Sequence, residues 1–341
     1  MKLLITTQAV DKNDPILGFF HRWIEEFAAQ VESVEVICLR EGEHALPSNV
    51  RVHSLGKEHG AASRAAYAWR LLRLSWRLRS EYDAVFVHMN EEYVLVAGWL
   101  WKLLHKPVYL WRNHYAGTWR TDMAATFCRN VFCTSKHSYT AKYRKTILMP
   151  VGIDTERFRP DAQVARIPHS ILFLARMAPS KRPEMLLDAL ATLARDGNEF
   201  SADLVGSPLP EHATYYTTLQ ERVRALGLSE RVRFLPGVPN DETPDLYRAH
   251  EVFVNCSPSG MFDKTLFEAA ACGCRVLASS KDFADLAGSE TYFDSAEALA
   301  QSLHASLAGG SKPLLQSVVQ NHSLHALAVS LAQQISNGVS K

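Results

Sequence analysis

The chain has 341 residues, of which 47% are hydrophobic and 21% charged, and its formal net charge is +1. This composition is that of a globular protein with room for two domains, and a net charge near zero argues against a general affinity for nucleic acid. The N-terminus lacks the apolar region and cleavage site of a signal peptide, so we expect a cytoplasmic protein. Six cysteines without a C-x-x-C pair predict free thiols rather than a zinc site or a disulfide framework.

The first part of the chain alternates apolar strand patterns with helical patterns. In chain order these are the strand KLLIT, a helix GFFHRWIEEFAAQV, the strand VEVICL, a helix at about 62–80, the strand AVFVH, a helix at about 91–105, and the strands VYLW, NVFCTS and TILMPV. A polar segment with two prolines, residues 154–170, then predicts a linker.

After this linker the alternation restarts. The predicted elements are the strand SILFLA, helix 183–195, ADLVG, helix 213–226, VRFLPG, a short helix near 242–249, EVFVNCS, helix 264–272 and RVLAS. Strands that alternate with helices predict parallel sheets, here two Rossmann-like doubly wound domains that face each other across a cleft. We place them at residues 1–155 and 156–320, with a C-terminal helix at 321–341 packing back on the first domain.

Positive charge follows the first strand of the second domain, in the segment LARMAPSKRPEMLLDAL. Arg176 ends the strand and Lys181 precedes the next helix, while Gly206 and Gly237 follow neighbouring strands. A further helix begins near Lys264, and its free amide groups would lie at the same edge. Two cations and these donors suit a diphosphate; the alternative is that both cations are solvated surface charges.

The chain resembles the GT-B glycosyltransferases of family 4 over nearly its whole length, and three segments carry the resemblance. They are PVGIDTERFRP at 150–160, LARMAPSKRPEMLLDAL at 174–190, and SPSGMFDKTLFEAAACGCRVLAS at 257–279. The resemblance implies that Arg176 and Lys181 hold the diphosphate of a nucleotide sugar and that Glu268 binds the ribose. The predicted donor site therefore comprises Arg176, Lys181, Gly206, Gly237, Met261, Phe262, Asp263, Lys264, Thr265 and Glu268.

One position departs from the family pattern. The first of the two family glutamates, which contacts the donor sugar, is Gly260 here, whereas Asp263 replaces a usual glycine. Asp263 either supplies a carboxylate from a shifted position or serves as the N-cap of the following helix. The same departure motivates a second reading, a nucleotide-sugar-binding protein with lost or weak transfer activity.

The first domain is expected to bind the acceptor, with Gly18 after the first strand and His88 at the end of AVFVH as candidates. Gly18 equally fits a plain helix start, and His88 fits a wall of the site. The resemblance favours His114, after VYLW, as the residue near the donor sugar and phosphate, with Arg112 or Asn113 as alternatives.

The family resemblance implies a retaining transfer that needs no metal or other cofactor. Arg176, Lys181 and the helix dipole would neutralise the leaving nucleotide, and His114 and Asp263 complete the predicted catalytic set. The expected donor is a UDP- or GDP-sugar, and the expected acceptor is a saccharide or a lipid-linked saccharide, as in polysaccharide or glycolipid assembly. A dinucleotide-dependent oxidoreductase is disfavoured because no G-x-G-x-x-G follows a strand.

The segment SRAAYAWRLLRLSWRLRSEY, residues 63–82, has two stripes at helical spacing. Tyr67, Leu71, Leu74 and Leu78 share the face expected to pack on the sheet. The opposite stripe carries Trp69, Leu72 and Trp76 beside Arg70, Arg73 and Arg77. Tryptophan with arginine on an outward face fits an anionic membrane surface, and it also fits an ordinary helix–helix contact.

Overall fold

The computed structural model describes residues 1–14, 17–60, 62–260, 263–309 and 316–339. The chain divides into two compact units. Unit 1 is Met1–Gly152 together with the segment that begins at Leu324, and unit 2 is Ile153–Ser323. The division thus falls between Gly152 and Ile153, whereas the sequence analysis put it between residues 155 and 156.

The described residues form twelve strands in chain order. They are β1 (Lys2–Val10), β2 (Ser33–Glu41), β3 (Val50–Ser54), β4 (Ala84–His88), β5 (Val108–Trp111), β6 (Asn130–Cys133), β7 (Thr146–Leu148), β8 (Ser170–Leu174), β9 (Ser201–Val205), β10 (Val232–Leu235), β11 (Val252–Asn255) and β12 (Arg275–Ala278).

The helices of the described residues are numbered in the same way. They are α1 (Phe19–Gln30), α2 (Arg64–Arg77), α3 (Glu91–Leu103), α4 (Trp119–Phe127), α5 (Pro183–Arg195), α6 (Ala213–Ala225), α7 (Thr243–Ala249), α8 (Lys264–Ala271), α9 (Lys281–Ala287), α10 (Ala296–Leu307), α11 (Gln316–Asn321) and α12 (Leu324–Val339). No helix in these ranges combines the length and the apolar character that crossing a membrane requires.

Unit 1 contains a seven-stranded sheet in the order β3-β2-β1-β4-β5-β6-β7, and every neighbouring pair is parallel. Leu3 and Ile5 of β1 point to the face covered by α1 and α12. Leu4, between them, points to the opposite face, which is covered by α2, α3 and α4. Both faces of a parallel sheet are buried in this way, which explains the nearly continuous apolar runs of its strands.

Unit 2 contains a five-stranded parallel sheet in the order β10-β9-β8-β11-β12. Leu186 and Leu190 of α5 and Leu299 of α10 pack with the β8 residues Ile171 and Phe173 on one face. The order of the strands reverses between β8 and β11: from β8 the chain continues to β9 and β10 on one side, and β11 and β12 lie on the other side. The predicted pair of doubly wound parallel sheets is confirmed. All six cysteines are free and buried.

The helix α12 packs against α1 within unit 1, and Gly152 lies at their contact. Gly152 has φ +77°, and a Cβ there would lie 2.3 Å from Leu327 Cδ2 and 3.1 Å from Trp23 Cζ2. Leu327 and Trp23 are both buried. Only glycine therefore fits this position, because a side chain would strain the backbone and displace the packed helix.

We expect Gly152→Ala to lower the free energy of unfolding by about 2 kcal/mol or more, from backbone strain and the clash with Leu327. Gly197→Ala is the matched control, because Gly197 has φ +78° and nothing lies within 4 Å of its Cβ position. That variant should lose only the backbone contribution, about 1 kcal/mol. Urea unfolding followed by circular dichroism measures both, and equal losses would contradict the packing described for Gly152.

Candidate functional site

The main candidate site lies at the carboxyl edge of the unit 2 sheet, where β8 and β11 are neighbours. This is the point at which the strand order reverses, and open parallel sheets bind ligands outside such points. Arg176 and Lys181 follow β8, and Ser257 follows β11. The helix α8 begins beside them, and the first amide groups of an α-helix have no partner within the helix.

Lys181 ends a short 3₁₀ turn, Pro179–Lys181, and is 9% exposed. Its ammonium donates to Asp263 Oδ2 at 2.5 Å and to Ser257 Oγ at 3.2 Å. An ammonium has three N–H donors. The described residues accept two of its hydrogen bonds, so one donor is left for another group.

Asp263 directly precedes α8, and its side chain is one-fifth exposed, at 20%. Besides Lys181, Asn255 Nδ2 at 3.3 Å and Ser257 Oγ at 3.3 Å donate to Oδ2 of this carboxylate. Burial raises the pKa of Asp263, but the ammonium of Lys181 and these hydrogen bonds more than offset it, so the net pKa is lowered. Asp263 is the N-cap residue of α8 by position, as one of the two alternatives expected, but its carboxylate makes no capping hydrogen bond and turns to Lys181 instead.

Arg176 and Arg182 differ in what they contact. Arg176 is exposed, and the described residues give its guanidinium no hydrogen bond or ion pair. Arg182, in contrast, donates from Nε to Cys256 O at 2.7 Å and from Nη2 to Ser279 Oγ at 2.5 Å. Arg182 therefore connects the ends of β11 and β12, whereas the donors of Arg176 are not taken up by any described residue.

Glu268 lies on α8, buried at 6% exposure, and accepts a hydrogen bond from Tyr247 Oη at 3.2 Å. Burial raises the pKa of Glu268, and Lys264, one turn earlier, opposes the rise. Burial has the opposite effect on the cation: it lowers the pKa of Lys264, and the nearby carboxylate of Glu268 opposes this decrease. Thr265 Oγ1 accepts from Asn255 Nδ2 at 3.1 Å, which ties the start of α8 to the end of β11.

Three glycines lie at this edge, one at a close backbone contact and two with amides that donate to side chains. A Cβ at Gly206 would lie 1.8 Å from Ala175 O, so the ends of β8 and β9 can meet only at a glycine. Gly237 is exposed and donates from its amide to Ser207 Oγ at 3.0 Å. Gly260 has φ +93° and donates from its amide to Asp282 Oδ2 at 2.8 Å. The predicted donor residues Met261 and Phe262 lie outside the described residues.

The loop after β5 in unit 1 contains the three candidates for the predicted cleft residue. Arg112 pairs with Glu91, Nε to Oε2, at 3.0 Å. Asn113 Oδ1 accepts from Thr134 Oγ1 at 2.8 Å, so each of these two side chains already has a partner within unit 1. His114 accepts at Nδ1 from the amide of Ala116 at 3.0 Å, and its Nε2 has no hydrogen bond to any described residue.

The two predicted acceptor residues have other roles in the structure. His88 is 2% exposed, stacks on Phe20 with ring centroids 3.8 Å apart, and its Nδ1 lies 3.2 Å from Thr7 Oγ1, so its ring is buried inside unit 1. Gly18 is needed because a Cβ there would lie 2.8 Å from Lys12 O and 2.7 Å from Asp14 O. Gly18 thus makes a close approach to its own loop at the start of α1.

A cavity of about 260 Å³ opens at the carboxyl ends of β4 and β5. Met89, which follows β4, has φ +67°, a conformation that non-glycine residues rarely adopt. The cavity is lined by Met89, Asn90, Glu91, Glu92 and Arg112.

The two stripes predicted for α2 are present with two changes. Arg70, expected beside the outward stripe, is only partly exposed and donates from Nη1 to Leu55 O at 2.5 Å. Leu71 and Leu78 are buried in the core, and Tyr67 and Leu74 pack against it. Leu72, predicted to face outward, also packs against this core and is half-buried. The outward residues are Trp69, Arg73, Trp76 and Arg77.

Sequence reasoning missed several polar residues of the unit 2 edge. Asn255 and Ser257 organise Lys181 and Asp263, and Tyr247 contacts Glu268. The only available signal was position, since Asn255 ends an otherwise apolar strand. Among the described residues, no group of three or more His, Cys, Asp or Glu side chains could hold a metal ion; whether the chemistry needs one stays untested.

Residues 168–308 match the family described as "Glycosyl transferases group 1". The chain is 31% identical over 154 residues to D-inositol 3-phosphate glycosyltransferase of Geodermatophilus obscurus, covering 42% of this chain and 34% of that protein. The chain spans about a third of the length of the curated relatives it matches.

Solved structures resemble the whole chain. Sucrose-phosphate synthase of Thermosynechococcus elongatus has a TM-score of 0.79 at 17% identity, covering 100% of both chains. HepE of Anabaena in complex with UDP has a TM-score of 0.73 at 19% identity, also covering 100% of both chains.

The chain therefore has the GT-B fold, as the sequence predicted. Residues 168–308 of unit 2 match the family of group 1 glycosyl transferases, in agreement with the resemblance noted in the motifs of this part of the chain.

The Lys181–Asp263 ion pair predicts a specific pattern of stabilities. Asp263→Asn should lower the free energy of unfolding by about 1–3 kcal/mol, because a largely buried ammonium loses its counter-charge. Lys181→Met should have a similar cost, and the double variant should cost less than the sum of the two. Additive losses in urea unfolding would show that the two groups do not interact.

The same pair predicts a pH dependence. The folded pKa of Asp263 is lowered, so its contribution is complete above the unfolded value of about 3.9 and disappears as the pH falls through the folded value. The stability difference between the unmodified chain and Asp263→Asn should therefore be constant near neutrality and shrink below about pH 4. A difference that grows towards acid pH would contradict the assignment.

Proposed function

We propose that the protein is a glycosyltransferase that moves a sugar from a UDP- or GDP-sugar donor to an acceptor hydroxyl. The observation that carries the proposal is the nearly buried ammonium of Lys181 at the point where the strand order reverses, with one N–H donor unused. A strand edge needs no buried cation for its own stability, since burying charge costs free energy. Binding of an anionic ligand such as a diphosphate would explain the position of this cation.

The proposed donor site combines three sources of positive potential. Arg176 has an exposed guanidinium with its donors unused, Lys181 has one N–H left, and α8 presents its first amides at the same edge. These groups would stabilise the charge on the departing nucleotide without a metal ion. Crystal structures of Anabaena HepE are complexes with UDP and with UDP-glucose, and the shared fold supports a nucleotide-sugar donor here.

The remaining residues have proposed roles around this diphosphate. Glu268 would accept hydrogen bonds from the ribose, with Tyr247 orienting its carboxylate. Asp263, three residues beyond Gly260, would take a hydrogen bond from a hydroxyl of the donor sugar in place of the missing glutamate. His114, with Nε2 unused, would contact the donor sugar and phosphate. The transfer would retain the anomeric configuration, with a donor phosphate oxygen accepting the proton of the acceptor hydroxyl.

The acceptor is proposed to be a saccharide or a lipid-linked saccharide. We assign its recognition to the unit 1 cavity lined by Asn90, Glu92 and Arg112 rather than to Gly18 and His88. Carboxylate, amide and guanidinium groups can bind the hydroxyls of a polyol. The six free, buried cysteines support a reducing compartment, and we propose the cytoplasm.

A second candidate is a protein that binds nucleotide sugars without efficient transfer. Gly260 favours it, because a glycine offers the donor sugar no carboxylate at the position where the family has a glutamate. The backbone amide of Gly260 donates to Asp282 instead. Incubating the protein with UDP- and GDP-sugars and a panel of acceptors, and measuring nucleotide release, separates the two. Release that depends on the acceptor supports transfer, whereas binding without turnover for every pair favours the second candidate.

We expect Arg176→Ala to weaken UDP or GDP binding at least about tenfold, since it removes charge-assisted hydrogen bonds worth about 1.4 kcal/mol or more. Arg176 is exposed and has no hydrogen bond or ion pair with the described residues, so the fold should be unaffected. Lys181→Met should weaken binding by a similar factor. Arg195→Ala, which removes an exposed arginine at the far end of α5, is the control. Calorimetry measures all three, and unchanged affinity in Arg176→Ala would place the diphosphate elsewhere.

A further inference from the structure

The helices α2, α3 and α4 form one continuous layer on a single face of the unit 1 sheet. Their inward residues belong to the same core, which includes Leu71 of α2, Ala97 and Trp101 of α3, and Ala124 and Ala125 of α4. Because the inward sides of all three helices point to this one core, their outward sides face the same direction.

The outward side of this layer carries large apolar side chains. At 100° per residue, Trp99 lies opposite Ala97 and Trp101 on α3, and Trp119 and Met123 lie opposite Ala124 and Ala125 on α4. The four tryptophans on this outward side, Trp69, Trp76, Trp99 and Trp119, are 50% to 65% exposed. We call the following set the aromatic–basic face: Trp69, Arg73, Trp76, Arg77 and Arg79 of α2 and its C-terminal end, Trp99, Lys102 and Leu103 of α3, and Trp119, Arg120 and Met123 of α4.

Cations lie directly on these rings. The guanidinium carbons of Arg73, Arg79 and Arg120 are 5.3, 4.6 and 5.7 Å from the ring centroids of Trp69, Trp76 and Trp119. The sequence of α2 contains four arginines and no acidic residue. The face therefore combines indole rings with a local positive charge that the nearly neutral composition of the chain does not reveal.

Acidic groups on this layer are few and lie near the helix starts. Glu92 is exposed in the first turn of α3, and Glu91 pairs with Arg112. Asp122 of α4 pairs with Lys142 at 2.7 Å and accepts a hydrogen bond from Tyr139. The tryptophans on α2 and towards the end of α3 have no acidic residue within their own helical turns.

We propose that the aromatic–basic face docks on the surface of an anionic lipid bilayer. Indole rings favour the headgroup region of a membrane, and arginine is attracted by anionic headgroups. The sequence suggested such a contact for α2 alone; the structure extends it over three helices, so that a broad surface and not a single helix would lie on the membrane. The inference does not depend on the nucleotide site, which belongs to unit 2.

The test is sedimentation with vesicles, comparing phosphatidylcholine alone with vesicles in which about a third of the lipid is phosphatidylglycerol. The unmodified chain should bind the anionic vesicles and should bind the neutral ones at least about tenfold more weakly. Trp99→Ser/Trp119→Ser, on the two helices that the sequence did not single out, should weaken anionic binding about tenfold. Arg73→Gln/Arg77→Gln should weaken it and reduce its dependence on salt.

Matched controls remove similar side chains from unit 2. Ile167→Ser/Leu286→Ser removes two apolar residues that are 43% and 42% exposed, and Arg195→Gln/Arg224→Gln removes two exposed arginines. Both should bind anionic vesicles like the unmodified chain. Circular dichroism and nucleotide calorimetry on every variant report on the fold and the donor site, so a failure of the membrane proposal is distinguishable from a failure of the proposed function.

Three results would overturn the proposal. The first is a lack of binding to anionic vesicles, and the second is equal binding to neutral ones. The third is that the tryptophan variants abolish self-association, measured by light scattering, without changing vesicle binding, which would assign the face to a second copy of the chain.

Discussion

Placing an ammonium group at the edge of a sheet with little access to water requires a counter-charge in direct contact, and the organisation of unit 2 follows from that requirement. Lys181 comes from the turn after β8, and its partner Asp263 comes from the start of α8. The pair therefore joins the two strands between which the strand order reverses, through Asn255 and Ser257 at the end of β11. A buried ion pair gains little stability over apolar residues of equal size, so stability alone does not explain a charged pair at this edge.

Strands and helices with strong periodicity could be predicted from the sequence. The strands AVFVH and VYLW and the helix 183–195 have the predicted bounds, because buried parallel strands are continuous apolar runs and α5 has a regular apolar stripe. The strand β3 was missed because VRVHS lies at the sheet edge, where polar residues alternate with apolar ones. The helix α4 was missed because WRTDMAATF has almost no amphipathic pattern, and its position is set by packing on α3.

Site residues could be located by strand ends and motifs, but their contacts could not. Lys181 and Asp263 are 82 positions apart, and no local pattern indicates that their side chains meet. His88 shows that the direction of a side chain is equally hard to predict. A histidine that ends a strand fits an exposed edge, but the ring here stacks on Phe20 inside an aromatic cluster. Position along a strand predicts the edge at which a residue lies; whether its side chain turns outward depends on neighbours that are distant in sequence.

The two units use the same types of cation in opposite ways. In unit 2, Lys181 and Arg182 point inward and are held by carboxylate, hydroxyl and carbonyl oxygens, so their charge is fixed in place. In unit 1, the arginines of α2 and α4 lie over exposed indole rings. Folding does not explain those rings, because the inward sides of the same helices already fill the core with Leu71, Ala97 and Trp101. The exposed tryptophans of α2 and α4 contribute nothing to the core, and arginines lie over their rings. Such a surface fits a partner that is both apolar and anionic.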